Sequence, residues 1–142
     1  MTAQGEDILA WLDAAITGRE RKATKAVDEY GADWYYDDGF VLARHEDDMV
    51  ATGSQDFLDR PQGEHIAAND PASVLRRCAA DRKLLELHGG RGHGCPAYDY
   101  DGDLDEFARF YNHEACPVVQ HLAESYGWTA GQTPPTEGDQ VT

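Results

Sequence analysis

The sequence predicts a mainly helical α+β domain, and three observations carry that reading. Apolar residues recur at three- and four-residue steps near the N-terminus and again in the middle of the chain. A run of aromatic and β-branched residues with turn signals separates those two stretches. A Cys-Pro pair opens a last short apolar stripe. The expected organisation is one α+β domain over residues 1–128, with a small antiparallel hairpin or meander after a long first helix, followed by a disordered polar tail over 129–142. A chain of 142 residues has room for one real core and is short for two.

The first helix is expected from Glu6 to Tyr30, where Ile8, Leu9, Leu12, Ala15, Ile16, Ala23, Ala26 and Val27 form the apolar stripe. Arg19, Glu20, Arg21, Lys22 and Lys25 supply its wet face. Gly18 falls within the pattern and costs about 1 kcal/mol relative to alanine, which predicts a bend or break. After Gly31 the runs ADWYYDD and GFVLARHEDDMVATG are joined by Asp37-Asp38-Gly39, a turn signal between short strands. Residues 53–63 then read as a connecting loop punctuated by Pro61 and Gly63, with a helical turn at Glu64 to Ala68.

The central helix is the clearest segment. Pro71 suits a first turn because its missing N–H has no intrahelical partner there, and Asp70 or Asn69 is placed to cap the free amides. Val74, Leu75, Cys78, Ala79 and Leu85 make one apolar side, Arg76, Arg77, Arg82 and Lys83 face outward, and Gly89-Gly90 ends the helix. A loop over 89–101 follows, then a short helical stripe marked by Leu104, Phe107, Phe110 and Tyr111. Pro117 opens the last helix beside Cys116.

Composition narrows the function classes. Twenty-seven acidic against 12 basic side chains leave a net charge of −15, spread over both halves of the chain. Such a surface repels phosphates and anionic lipids, so nucleic-acid and membrane binding are disfavoured, and a basic protein partner or a cation fits better. No apolar run reaches the length of a membrane span and the N-terminus lacks the pattern of a secretory signal, which predicts a cytoplasmic protein. Three cysteines, an odd number in that setting, argue for reduced thiols and keep metal ligation open.

Two motifs invite a metal. The acidic run DYDGDLDE resembles a calcium loop starting at Asp99, but Leu104 stands where the loop needs glycine and Phe110 where it needs a bidentate glutamate, so it reads as a solvated turn. The second set is His88, His93, Cys95, His113 and Cys116, all in or beside the loops that bracket one short helix. Zinc takes imidazole and thiolate ligands in a closed tetrahedron. Within this set His113-x-x-Cys116 has the spacing of half a knuckle, while His93-x-Cys95 is tighter than the usual gap. Cys116 also sits at an expected helix N-terminus, where the dipole and free amides favour thiolate. Cys78, on an apolar helix side, reads as core.

Catalysis has a weaker basis. Cys116 with His113 or His121 and Glu114 offers the residue types of a thiol hydrolase, but sequence neighbours rarely form a triad. His65 ahead of the central helix is most simply a packed histidine. No phosphate-binding glycine loop, nucleophile elbow or His-Glu-x-x-His pair is present.

The segment HIAANDPASVLRRCAADRKLLELH resembles a family of small proteins of unknown function found in actinobacteria and their phages. The positions that carry the resemblance are His65, Ile66, Asp70, Pro71, Val74, Leu75 and His88, then Cys116, Pro117, Leu122 and Tyr126. It extends from about Ile8 to about Trp128 and implies no known activity. Relatives often place cysteines between the histidine ending the central helix and the Cys-Pro helix, where Cys95 stands. This chain departs from them by carrying His93 beside Cys95 and the long insertion DYDGDLDEFARFYN. The ligand set expected in this chain is His88, Cys95 and Cys116, with His113 or His93 as the fourth, around a zinc ion.

Three readings compete at this point. The leading one is a non-enzymatic accessory or interaction protein held by a structural zinc. The others are a metal- or thiol-dependent hydrolase centred on Cys116 and an acidic inhibitor that imitates nucleic acid.

Overall fold

The computed structural model describes residues 4–27, 31–90, 92–93, 95, 108–109 and 115–129. The elements in chain order are α1 (Gln4–Ala26), β1 (Trp34–Asp37), β2 (Phe40–Ala43), β3 (Met49–Thr52), a single 3-10 turn (Ser54–Asp56), α2 (Arg60–Ala68), α3 (Pro71–His88), β4 (Gly92–His93), β5 (Ala108–Arg109) and α4 (Pro117–Ser125). The helices and the antiparallel three-stranded sheet make this an α+β protein. Among the described residues no helix is long and apolar enough to cross a membrane.

The chain forms two compact units, one of residues 1–18 with 79–142 and one of residues 19–78. In the first, Ile8, Trp11, Leu12 and Ile16 of α1 and Val119 and Ala123 of α4 are buried. Their spacing of three and four residues is the reason: it lays them along one stripe of each helix. The break allowed for at Gly18 does not occur: α1 continues through it, and Gly18 is itself buried. Arg82, expected to point outward, instead donates to Asp13 Oδ1 at 2.9 Å and to Thr17 Oγ1 at 2.8 Å, tying α3 to α1.

In the second unit β1, β2 and β3 form an antiparallel meander in the order β1-β2-β3. Asp38 (φ 37°) and Gly39 (φ 98°) make a two-residue turn with positive φ at both positions, the geometry that matches the twist of paired strands. Tyr36 braces that turn: its hydroxyl accepts from Gly39 N at 3.0 Å and donates to Leu58 O at 2.7 Å. The loop expected over 53–63 is a correction, since α2 already begins at Arg60, with Pro61 in its first turn. Proline there starts a helix rather than interrupting a loop. Gly63 is buried against the ring of Tyr36, leaving no room for a side chain.

Asp70 begins α3 as expected and does more than cap it. Its Oδ1 accepts from Ser73 N at 2.9 Å and its Oδ2 from Trp34 N at 3.0 Å, so one carboxylate holds the helix start and the first strand together. Burial pushes this carboxyl up, but the hydrogen bonds from Ser73 and Trp34 and the charge of Arg76 outweigh it and hold it below the usual carboxylate range. Asn69 instead ends α2 and donates from its side chain to His65 O. Cys78 is fully buried, in line with a core role, whereas Ala79 is exposed.

The stripe expected at Leu104 to Tyr111 is corrected where the described residues reach it: Ala108–Arg109 is a strand, paired antiparallel with Gly92–His93. The acidic run at 99–106 and most of the tail expected over 129–142 lie outside the described residues.

Candidate metal centre

Three side chains from separate stretches of the first unit meet at one point. His88 is the last residue of α3, Cys95 follows β4, and Cys116 stands at the N-cap position of α4. Each is placed by a local feature of the sequence. α3 ends at His88, and Gly89 after it donates its N–H to Leu85 O at 2.7 Å and packs so closely on Leu85 that a Cβ would collide with that carbonyl. The short β4–β5 ladder, with His93 opposite Ala108, fixes the backbone two residues before Cys95. Pro117, which gives up no needed N–H at a first helical position, starts α4 immediately after Cys116, and Gln120 N donates back to Cys116 O at 3.0 Å.

The two sulfurs are 3.4 Å apart, and His88 Nδ1 lies 3.7 Å from Cys95 Sγ and 3.6 Å from Cys116 Sγ. All three donor atoms fall within 4.8 Å of one another. A tetrahedral zinc ion, with Zn–S about 2.3 Å and Zn–N about 2.0 Å, sets S···S edges of about 3.8 Å and S···N edges of about 3.5 Å. The triangle therefore has the size of one face of a zinc tetrahedron, with the sulfur–sulfur edge slightly short. The donors also suit the ion, since two soft thiolates and an imidazole select zinc over the hard, oxygen-seeking magnesium and calcium.

Cys95 and Cys116 are 4% and 2% exposed. For Cys116, burial pushes the thiol up, and the hydrogen bond and charge of Cys95 add to this; the amides of Val118 and Val119 at the start of α4 act the other way without overcoming it. The helix amides favour thiolate as expected, but in this buried pair of sulfurs desolvation and the neighbouring Cys95 outweigh them. An activated nucleophile needs the reverse. A cation held among the sulfurs would supply the missing compensation, and the Val118 and Val119 amides would remain hydrogen-bond donors to the Cys116 sulfur.

Of the residues singled out in the sequence, His88, Cys95 and Cys116 come together, His93 lies in β4, and His113 lies outside the described residues. His121 is exposed, with its ring 3.5 Å from Glu124, and His65 is exposed on α2. The helix-start amides expected beside Cys116 are those of Val118 and Val119. The second unit carries an open cavity of about 320 Å³ lined, among the described residues, by Arg19, Lys22, Ala23, Ala26, Trp34, Asn69, Pro71 and Val74, none of which is a carboxylate, thiol or imidazole.

Comparison with known proteins matches residues 5–127 to a family described as a family of unknown function, DUF6221. No curated protein and no solved structure matches this chain.

Proposed function

Since the chain belongs to DUF6221, whose description assigns no activity, its role rests on its own residues, and we propose that it is a non-enzymatic accessory protein built around a structural zinc ion. The observation that carries the reading is the triangle of His88, Cys95 and Cys116, with edges of 3.4, 3.6 and 3.7 Å. His88, Cys95 and Cys116 hold the ion, and His113 or His93 is the fourth ligand. A closed site of this kind clamps the end of α3, the segment at Cys95 and the start of α4, and contributes folding energy rather than turnover. The net charge of −15 supports a basic protein as partner and disfavours nucleic acid and membranes. An actinobacterial or phage origin, with the protein at work in the cytoplasm, accords with the resemblance noted in the sequence.

The test is elemental analysis of protein purified without a histidine tag, with thiol counting before and after chelation. One zinc per chain, with Cys95 and Cys116 unreactive until the metal is stripped, is expected. Metal-free protein whose two thiols react freely contradicts the proposal.

A second reading is favoured by one observation, the three-donor set with half-buried His88. Three protein ligands and a solvent-reached fourth position are what a zinc hydrolase uses. Hydrolytic turnover that tracks zinc content supports it; zinc-loaded protein inert toward ester, amide and phosphate substrates excludes it. The thiol-hydrolase variant has less support, because the Cys116 sulfur is buried and its thiol is held up.

A further inference from the structure

The same three residues carry an inference about how the site is regulated, resting on the zinc reading above: we infer that the centre is a redox-controlled structural site, releasing its ion when Cys95 and Cys116 join in a disulfide. Two features make this specific. The sulfurs are neighbours at 3.4 Å, so a disulfide of about 2.0 Å needs them to close by about 1.4 Å. The donors that converge among the described residues are one nitrogen and two sulfurs, so one two-electron event removes both thiolates together and leaves only imidazole, from His88 and the fourth ligand. Two imidazoles hold zinc far more weakly than a set that includes two thiolates. Release is therefore coupled one to one with the covalent change, where a site with only one sulfur has no such route.

The chemistry balances with a peroxide as oxidant. One thiolate attacks a peroxide oxygen, the O–O bond breaks, and a sulfenic acid and hydroxide result. The second thiolate attacks the sulfenic sulfur, the S–S bond forms, the S–O bond breaks, and a second hydroxide leaves. The two sulfurs together lose two electrons, the peroxide is reduced to two waters after taking up two protons, and zinc departs as the hydrated dication. With the residues Cys95 and Cys116 only 4% and 2% exposed, the oxidant must be as small as hydrogen peroxide.

The outcome is two covalently distinct forms of one fold. In the reduced form the ion ties the Cys95 segment to the start of α4. In the oxidised form a bond across 21 positions of sequence replaces it, so the tether survives while the ion is released. Cys78, fully buried in the other unit, takes no part.

The experiment uses the full chain without a histidine tag, loaded with zinc and exposed to hydrogen peroxide. Released zinc is followed with a chromogenic chelator, thiols are counted after denaturation, and linked peptides are mapped by mass spectrometry. The inference expects one zinc released for every two thiols lost, one Cys95–Cys116 linked peptide, and recovery of both thiols and zinc on treatment with dithiothreitol and zinc. Cys78→Ser is expected to behave as the parent, and Cys116→Ser to give no such linked peptide. A chain that takes up no zinc beforehand overturns the metal reading, and this inference with it. Bound zinc that is retained while the sulfurs oxidise, a link through Cys78, or oxidation of single sulfurs to sulfinic acid overturns this inference and leaves the metal reading standing.

Discussion

Replacing Asp70 by alanine should destabilise the protein by about 2 to 4 kcal/mol, and the size follows from two bonds. The Asp70 side chain, 7% exposed for the residue as a whole, accepts from Ser73 N at 2.9 Å and from Trp34 N at 3.0 Å. Loss of a helix N-cap costs about 1 kcal/mol, and a backbone N–H left without a partner in a poorly solvated place adds about 1 to 3 kcal/mol. Asp70→Asn keeps one acceptor oxygen but turns an NH2 group toward the second amide, so its cost should fall between alanine and the parent. Urea denaturation followed by circular dichroism measures both. The pH dependence has a definite sign. The folded-state carboxyl is held below its unfolded value, so its contribution is complete above the unfolded pKa of about 3.9 and disappears as pH falls through the lower folded one. The gap between parent and Asp70→Asn should therefore stay level from neutral pH to about 5 and narrow only in stronger acid. An alanine variant within about 0.5 kcal/mol of the parent, or a gap that widens in acid, would refute the assignment of Asp70 as the joint between α3 and β1.

Gly63→Ala should cost about 2 to 3 kcal/mol in the same assay, because an added methyl meets the Tyr36 ring and that ring is fixed by its hydroxyl bonds to Gly39 and Leu58. Tyr126→Phe removes the 2.6 Å bond to Asp81 Oδ2 and should cost about 1 kcal/mol, read from the shift of the urea midpoint. Zinc at about 100 times its dissociation constant should stabilise the parent by about 2.7 kcal/mol over chelated protein, and this gain should vanish in Cys116→Ser; thermal melts with and without chelator report it.

Much of this architecture is written locally. Ile8, Leu12 and Ile16 fix the buried face of α1, Asp38-Gly39 fixes a hairpin turn, and Asp70-Pro71 and Cys116-Pro117 fix two helix starts. These signals are legible because each needs only a few neighbouring residues to act. The features missed need distant partners. Pro61 is a loop marker or a first-turn residue depending on whether Gly63 finds the Tyr36 ring, and Arg82 is outward or engaged depending on Asp13 and Thr17. Gly18 bends an isolated helix, yet in place it is buried without a break. Ala108–Arg109 carries a helical spacing and is a strand, because its register is set by Gly92–His93. The metal centre lies between these cases. Residue types narrowed the candidates to a handful, but 28 positions separate His88 from Cys116, and only the fold brings those two and Cys95 together.

X-ray absorption at the zinc edge tests the central claim most directly, on zinc-loaded protein free of any histidine tag. The account requires a first shell with two sulfurs at about 2.3 Å and at least one nitrogen at about 2.0 Å, with the sulfur count falling to one in Cys95→Ser or Cys116→Ser. A shell made only of nitrogen and oxygen, or one that both substitutions leave unchanged, would contradict it.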